Sequence, residues 1–372
     1  MLSQVVRSRS PLRNLNCCQE EDEVGEGNAI IGSSNVKQGL ALPTYSFDPR
    51  RLQRGAVWDS HCHLDLLANR LKRVGVRRGE NLETTLERDG EGLEDKFGGC
   101  IANFCEPRSW CCGPGGREVV DELRNCMVQS RVFLAIGCHP RFADQLGGLQ
   151  LQRLELLARG RKGGLVAIGE CGLDLSTNNK LSLNVQRKAF AAQVSLALRL
   201  EVPIVLHIRA AEKEGRQLLK ELNVPASWPM HRHCFKGSTS AFAAATHILG
   251  NYTFFVCSGS WEEAESWLNL FPGSKIGLTG VVTFRDAKDV HDVAKRIPLD
   301  RLLLETDAPY FLPAMLARSG GYSFKFSQPG QVIHVAAQIA TLRNVSLEEV
   351  LEANRKNIEE VYGIAMRSKE GK

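Results

Sequence analysis

WDSHCHLD, residues 58–65, sets His61 and His63 one residue apart and brackets them with Asp59 and Asp65. Histidine occupies only nine of the 372 positions, so two of them within three residues need a reason. The small apolar run GAV leads into the stretch, and the whole reads as a buried strand that turns polar at its end. Side chains two apart on a strand project from one face. Both imidazoles therefore point the same way, with Asp59 buttressing the strand and Asp65 capping the helix expected next.

Outward from this stretch the same rhythm recurs. GGCIANFCEP, RVFLAIGCHP, GGLVAIGECGLD, EVPIVLHIRA, MHRHCF, NYTFFVCSG, SKIGLTGVVTF and DRLLLETDAPY are short, mostly aliphatic or β-branched runs, the composition of strands buried on both faces. Helix-like stretches separate them, including REVVDELRNCMVQS, VQRKAFAAQVSLALRL, KEGRQLLKELN, AFAAATHILG, EEAESWLNLF and AKDVHDVAKRI. Strand–helix alternation argues for a parallel sheet. About eight units in about 310 residues suit an α/β fold of the closed (β/α)8 TIM-barrel type. A doubly wound open sheet is the alternative, but its Gly-rich nucleotide fingerprint is missing.

With the opening stretch there are nine strand candidates for eight places. NYTFFVCSG is the one in excess, because HCFKGS is echoed in VCSGSW. The long charged stretch at 66–99 reads as an inserted, partly helical loop, and the chain from 329 as two closing helices. Residues 1–55 hold no sustained period and read as a disordered N-terminal tail; residues 56–365 are left as the barrel. Arg7, Arg9 and Arg13, with no acid in the first 18 residues, keep a mitochondrial presequence as an alternative to a plain tail.

Hydrophobic residues make up 43% of the chain, enough for a full core. No apolar run reaches the ~18 residues of a membrane span. The net charge of +5 is compatible with a phosphate-bearing partner without arguing for one. Among twelve cysteines there is no C-x-x-C pair. Cys62, Cys100, Cys138, Cys171 and Cys234 sit inside apolar runs and read as buried free thiols. With no secretory signal, this points to a reducing compartment, cytosol or nucleus.

The strands end in chemistry-bearing residues: His61 and His63, then His139, Glu170, His207, His233, and finally Glu305 and Asp307. In a barrel these ends form the mouth where active sites lie. Each has an ordinary reading taken singly. A lone strand-end histidine is usually a satisfied core residue, Glu170 in AIGECG can be a structural acid, and Asp307 in ETDAP can cap a turn. Jointly they do not, because even four of these imidazoles and two of the carboxylates are costly to bury together without a cation. A divalent metal site, of two ions, accounts for them.

The order HxH…E…H…H…D resembles the TatD-type metal-dependent deoxyribonucleases, within the amidohydrolase-like TIM-barrel group. DSHCHLD, AIGCHP, AIGECGLD, VPIVLHIRAA, HCFKGS and IPLDRLLLETDAPYFLP match in order, followed by LEANRKNIEEVYG, so the likeness covers roughly residues 56–363. GCIANFCEPR, HPRFA and HRHCF resemble most the animal branch, in which an unrelated N-terminal tail precedes the barrel. The resemblance implies that His61, His63 and Asp307 hold one metal, His207 and His233 a second, and Glu170 both. His231, two residues before His233, stands as a substitute or a neighbour on the same face.

Such a ligand set suits Zn²⁺, Mn²⁺ or Mg²⁺, and a two-metal site polarises a phosphodiester and acidifies water. Asp307 would take the water's proton, and Glu305 would orient a ligand histidine or the water. His139, Arg209 and Lys236 would face the phosphate, Arg209 through its fork of donors; a rim salt bridge is the ordinary reading of Arg209. Trp261 and Trp267 read as core, with stacking on bases as the alternative. Residues 314–329, AMLARSGGYSFKFSQP, keep only the proline of an Asn-Glu-Pro-containing loop that touches substrate in relatives. Substrate choice is therefore the least defined feature.

The function expected is exonucleolytic hydrolysis of DNA, with RNA as a further substrate and no membrane partner. A metallohydrolase of a small phosphoester, lactone or amide is one alternative. A non-catalytic nucleic-acid-binding protein is the other, and the complete ligand set argues against it.

Overall fold

A computed structural model describes residues 47–73, 95–111, 132–159, 165–235, 259–318 and 326–366. Eight parallel strands run in the order β1 to β8. They are β1 (Val57–Cys62), β2 (Phe97–Phe104), β3 (Val132–Ile136), β4 (Leu165–Asp174), β5 (Ile204–Arg209), β6 (Met230–Arg232), β7 (Ser274–Leu278) and β8 (Leu302–Leu304). Nearly every strand residue is buried, as the unalternating apolar runs require of a sheet covered on both faces.

The barrel closes between its first and last strands. Ser60 Oγ donates to the Leu304 carbonyl at 2.8 Å. Beyond β8 the Asp307 amide donates to the His61 carbonyl at 2.9 Å, and the His63 amide to that of Ala308 at 2.7 Å. Asp59 locks the same seam. Its carboxylate accepts the His61 amide at 3.1 Å, the Thr306 amide at 3.0 Å and the Thr306 hydroxyl at 2.5 Å. It is the buttress expected of it, acting across the join.

Helices wrap this cylinder: α1 (Leu64–Arg73), α2 (Pro107–Trp110), α3 (Gly148–Arg159), α4 (Leu183–Leu200), α5 (Glu212–Glu221), α6 (Trp261–Leu270), α7 (Lys288–Arg296), α8 (Ala314–Arg318), α9 (Val332–Arg343) and α10 (Leu347–Tyr362). Their ends follow local chemistry. The Ser346 hydroxyl accepts from the Glu349 amide at 3.1 Å to start α10, and Gly363 ends it with φ 61°, a backbone state open to glycine. Asn354 on α10 accepts the Leu304 amide at 2.8 Å and donates to the Trp58 carbonyl at 2.9 Å. The last helix is thereby fastened to both sides of the barrel seam.

Eight of the nine strand candidates are barrel strands. NYTFFVCSG lies almost wholly outside the described residues, as do REVVDELRNCMVQS, AFAAATHILG, Lys236 and the tail to residue 46. In the 66–99 stretch, α1 extends to Arg73 and β2 begins at Phe97; residues 74–94 lie outside the description. Ahead of β1, Leu52 is buried and Phe47 packs on the core. Trp267 and Trp261 are buried, the core reading. Cys62, Cys100, Cys138 and Cys171 are buried thiols, while Cys234 is half-buried.

Candidate metal centre

The strand-end residues converge at the C-terminal mouth. Glu170, within β4, lies among the histidines. Its Oε2 is 3.4 Å from His63 Nε2 and 3.6 Å from His61 Nε2. Its Oε1 is 2.8 Å from His233 Nε2 and in short contact with His207 Nδ1. Asp307 Oδ1 faces the first pair, 3.2 Å from His63 Nε2 and 3.7 Å from His61 Nε2. His207 Nδ1 and His233 Nε2 are 3.0 Å apart. One carboxylate thus has an oxygen for each of two histidine pairs, and the second carboxylate completes the first pair.

The backbone explains how distant residues reach one point. Cys234 and Asp307 hold φ of 51° and 53°, and Ala210, just beyond Arg209, holds 52°. Left-handed conformations at non-glycine residues cost about 1–3 kcal/mol and gather at functional sites. Gly172 has φ 154°, and a Cβ there would strike the His207 carbonyl. Its lack of a side chain lets β4 and β5 approach where Glu170 meets His207.

Orientation of the imidazoles decides what they can hold. His63 Nδ1 lies 3.1 Å from the Asn103 carbonyl, so Nδ1 carries the ring proton and Nε2 is bare in the neutral ring. That bare nitrogen faces His61 Nε2 at 3.4 Å and two carboxylate oxygens. The outer nitrogens of the second pair also face acceptors: His207 Nε2 lies 3.8 Å from Asp174 Oδ2, and His233 Nδ1 lies 4.0 Å from Glu305 Oε1. Lone pairs aimed at one another and at anionic oxygens repel unless something positive lies between. Glu170 Oε2 and Asp307 Oδ1 are buried with no hydrogen-bond partner. Ligands ~2.1 Å from a common ion lie ~3.0–3.4 Å apart, and the separations around Asp307 and His63 match. The residues fit divalent cations.

Charge follows the same geometry. Burial pushes the Glu170 carboxyl up, yet the imidazoles of His233 and His207 outweigh it and hold it well below its ordinary range. Asp307 is likewise lowered against its burial, by the adjoining His63 ring first and then by the rings of His233 and His61. Burial drives His233 well below its usual value, keeping the ring neutral as a ligand must be. Glu305 behaves differently: burial raises its carboxyl to about 8.

The remaining expected residues divide. His139 Nδ1 accepts from the Arg141 amide at 2.9 Å, which leaves the ring proton on Nε2, 3.7 Å from Glu170 Oε1. Its ring meets that of His207 edge-on, with centroids 4.2 Å apart. Arg209 is half-buried at the end of β5, in register with Asp174. Glu305 is fully buried behind the ligands. Its Oε1 accepts the Cys234 amide at 2.5 Å, and its Oε2 is 2.9 Å from His231 Nε2. It touches histidines and backbone.

His231 lies apart from the His207–His233 pair, so His233 is the member of HRH at the centre. Asp174 went unremarked in the sequence, yet Glu170, Gly172 and Asp174 share one face of β4 by strand period, and that signal was available. Asn103 was not legible, because its carbonyl does the work.

A parallel eight-stranded barrel with imidazoles and carboxylates gathered at its mouth is the architecture of a barrel metallohydrolase. The model for the TatD related DNase family matches residues 58–363, and the chain belongs to that family. It is 31% identical to the human 3′-5′ RNA nuclease TATDN2 over 325 residues, 87% of this chain and 37% of that protein. The chain thus spans little more than a third of that relative's length. It is 32% identical over 231 residues to the 3′-5′ ssDNA/RNA exonuclease TatD of Pantoea vagans, 62% of this chain and 77% of that one. The crystal structure of the Escherichia coli TatD homologue YJJV superposes with a TM-score of 0.61 at 24% identity, covering 83% of this chain and 99% of that chain, which speaks for the fold.

Proposed function

We propose that this protein is a metal-dependent exonuclease that hydrolyses phosphodiester bonds of single-stranded nucleic acid from the 3′ end. His61, His63 and Asp307 hold one divalent cation, His207 and His233 a second, and Glu170 contributes an oxygen to each. The observation that carries this reading is Glu170, with Oε2 at 3.4 Å from His63 and Oε1 at 2.8 Å from His233. Mg²⁺, Mn²⁺ and Zn²⁺ all suit a set of four imidazoles and two carboxylates. Relatives named as RNA and ssDNA/RNA nucleases support the substrate class.

When bound, such ions polarise the phosphoryl group and make water a nucleophile at neutral pH. The chain's own groups do the rest. Asp307 accepts the proton released by the attacking water. His139 presents its Nε2 proton to a phosphoryl oxygen, its tautomer fixed by the Arg141 amide. Arg209, two residues beyond His207 on the same face of β5, supplies a guanidinium fork for the phosphate of the neighbouring nucleotide.

A 5′-labelled single-stranded oligonucleotide, as DNA and as RNA, incubated with Mg²⁺ or Mn²⁺ tests the reading. A ladder of shortening products, abolished by chelator and by Asp307→Ala, is expected. Binding without cleavage by the wild-type chain would overturn it. No helix among the described residues is long and apolar enough to cross a membrane.

A further inference from the structure

Behind the metal centre lies a buried polar chain that the ligand set leaves unused. Tyr362, at the end of α10, is 4% exposed, and its hydroxyl is 2.7 Å from His231 Nδ1. The same hydroxyl also lies 3.4 Å from the Ser60 carbonyl on β1. His231 Nε2 is in turn 2.9 Å from Glu305 Oε2, at an angle short of hydrogen-bond geometry. Glu305 Oε1 takes the Cys234 amide and lies 4.0 Å from His233 Nδ1. His231, Glu305 and His61 also present ligand-type atoms within 4.8 Å of one another. Four elements meet here: α10, β6, the turn after β8, and β1.

Room for this contact is provided by β7. A Cβ on Gly277 would collide with both Glu305 Oε2 and His231 Nε2. Above it, the rings of His61 and His233 stack with centroids 4.0 Å apart and planes at 10°. Their inner nitrogens, Nε2, face Glu170. Their Nδ1 atoms are buried without a hydrogen-bond partner. A neutral ring that ligates through Nε2 carries its proton on Nδ1 and needs an acceptor there, and such outer partners fix ring orientation and basicity. Glu305 neighbours both rings, one from each proposed metal: an oxygen lies 4.0 Å from His233 Nδ1, and one lies within 4.8 Å of a His61 ring nitrogen.

We propose that Tyr362 and His231 are positioning residues, forming a chain from the closing helix that holds Glu305 beneath His61 and His233 and so sets affinity at both metals. Of its two acceptors the Tyr362 hydroxyl gives its one proton to His231 Nδ1 at 2.7 Å ahead of the Ser60 carbonyl at 3.4 Å, which places the His231 proton on Nε2, facing Glu305. Glu305 is flanked on one oxygen by His231 and takes the Cys234 amide on the other, with its carboxyl turned to the ligand rings. Neither His231 nor Tyr362 touches substrate, so their effect reaches the reaction only through the cations. The inference rests on the metal-centre reading above.

Titration of the chelator-stripped full chain with Mn²⁺ by calorimetry tests it, alongside kcat, KM and thermal melting. Tyr362→Phe keeps the ring and removes only the hydroxyl; His231→Leu removes the next link. Each should weaken Mn²⁺ binding by roughly tenfold and lower kcat with KM little changed. The double variant should be no worse than His231→Leu alone, because both act through one carboxylate. Glu305→Gln should lose at least as much. Mn²⁺ affinity within twofold of wild type in Tyr362→Phe, whatever happens to Tm, would overturn the proposal, as would additive losses in the double variant. Should His231→Leu fail to fold, Tyr362→Phe alone decides. A wild-type chain that binds no Mn²⁺ would instead sink the metal-centre reading itself.

Discussion

Glu170 shows how much can depend on one side chain. It is 2% exposed, a position where a carboxylate is tolerable only with compensating charge. Five histidines surround it: His61 and His63 toward Oε2, and His207, His233 and, at 3.7 Å, His139 toward Oε1. Glu170→Ala is therefore expected to lower nuclease turnover by at least about three orders of magnitude, ~4 kcal/mol of barrier. It should also weaken binding of both cations in a calorimetric titration while leaving the far-UV spectrum unchanged. Loss of one ion alone would show that Glu170 serves a single metal. The same scale explains a limit of sequence reading. His231 and His233 are two apart and point to the same face, so strand period alone left them interchangeable, and it was the resemblance that chose His233. Only their neighbours separate them: His233 Nε2 meets Glu170 at 2.8 Å, and His231 Nδ1 meets Tyr362 at 2.7 Å.

At the scale of elements, β6 is the most instructive. It is three residues long, and Arg232 lies between its two histidines, on the opposite face. That guanidinium donates to Glu212 Oε1 on α5 at 2.7 Å, to the His233 carbonyl at 2.5 Å, and to the Ile208 carbonyl. Trp267 on α6 donates to the other Glu212 oxygen at 2.5 Å. A short strand with few ladder bonds is thus fixed from behind by a buried ion pair. Removing one partner of such a pair strands the other charge, so Arg232→Ala should cost about 3–5 kcal/mol, read as a lowered urea midpoint. A loss below ~1 kcal/mol, the range of an exposed pair, would mean that water reaches Glu212. This ion pair was not foreseeable: Arg232 and Glu212 are 20 residues apart, and nothing in either local stretch announces the other.

Across the molecule, the barrel seam and the metal centre are one structure. The bonds that join β8 to β1 run through His61, His63, Asp307 and Ala308, so a cation held there, as proposed, would also brace the closure. Binding to the native state alone stabilises it, by ~2.7 kcal/mol at a ligand concentration 100 times Kd. Adding Mn²⁺ to the chelator-stripped chain should therefore raise Tm by roughly 5 °C or more, at 2–4 °C per kcal/mol for a large domain. An unchanged Tm at saturating Mn²⁺ would count against a site built into the closure.

The sequence by itself determined the alternation of strands and helices, the strand ends as the place for chemistry, and the set of imidazoles and carboxylates. Those features are local or periodic: apolar runs, a two-residue strand period, and residue types at run ends. What the sequence could not decide was which atoms meet. That Glu170 turns one oxygen to each histidine pair depends on the register of β4 against β5. That Glu305 sits behind the ligands, and not among them, depends on His231, Cys234 and Tyr362. Tertiary structure settled these points because contacts between residues 37 to 131 positions apart are fixed by the twist and closure of the barrel, and no short stretch of chain carries that information.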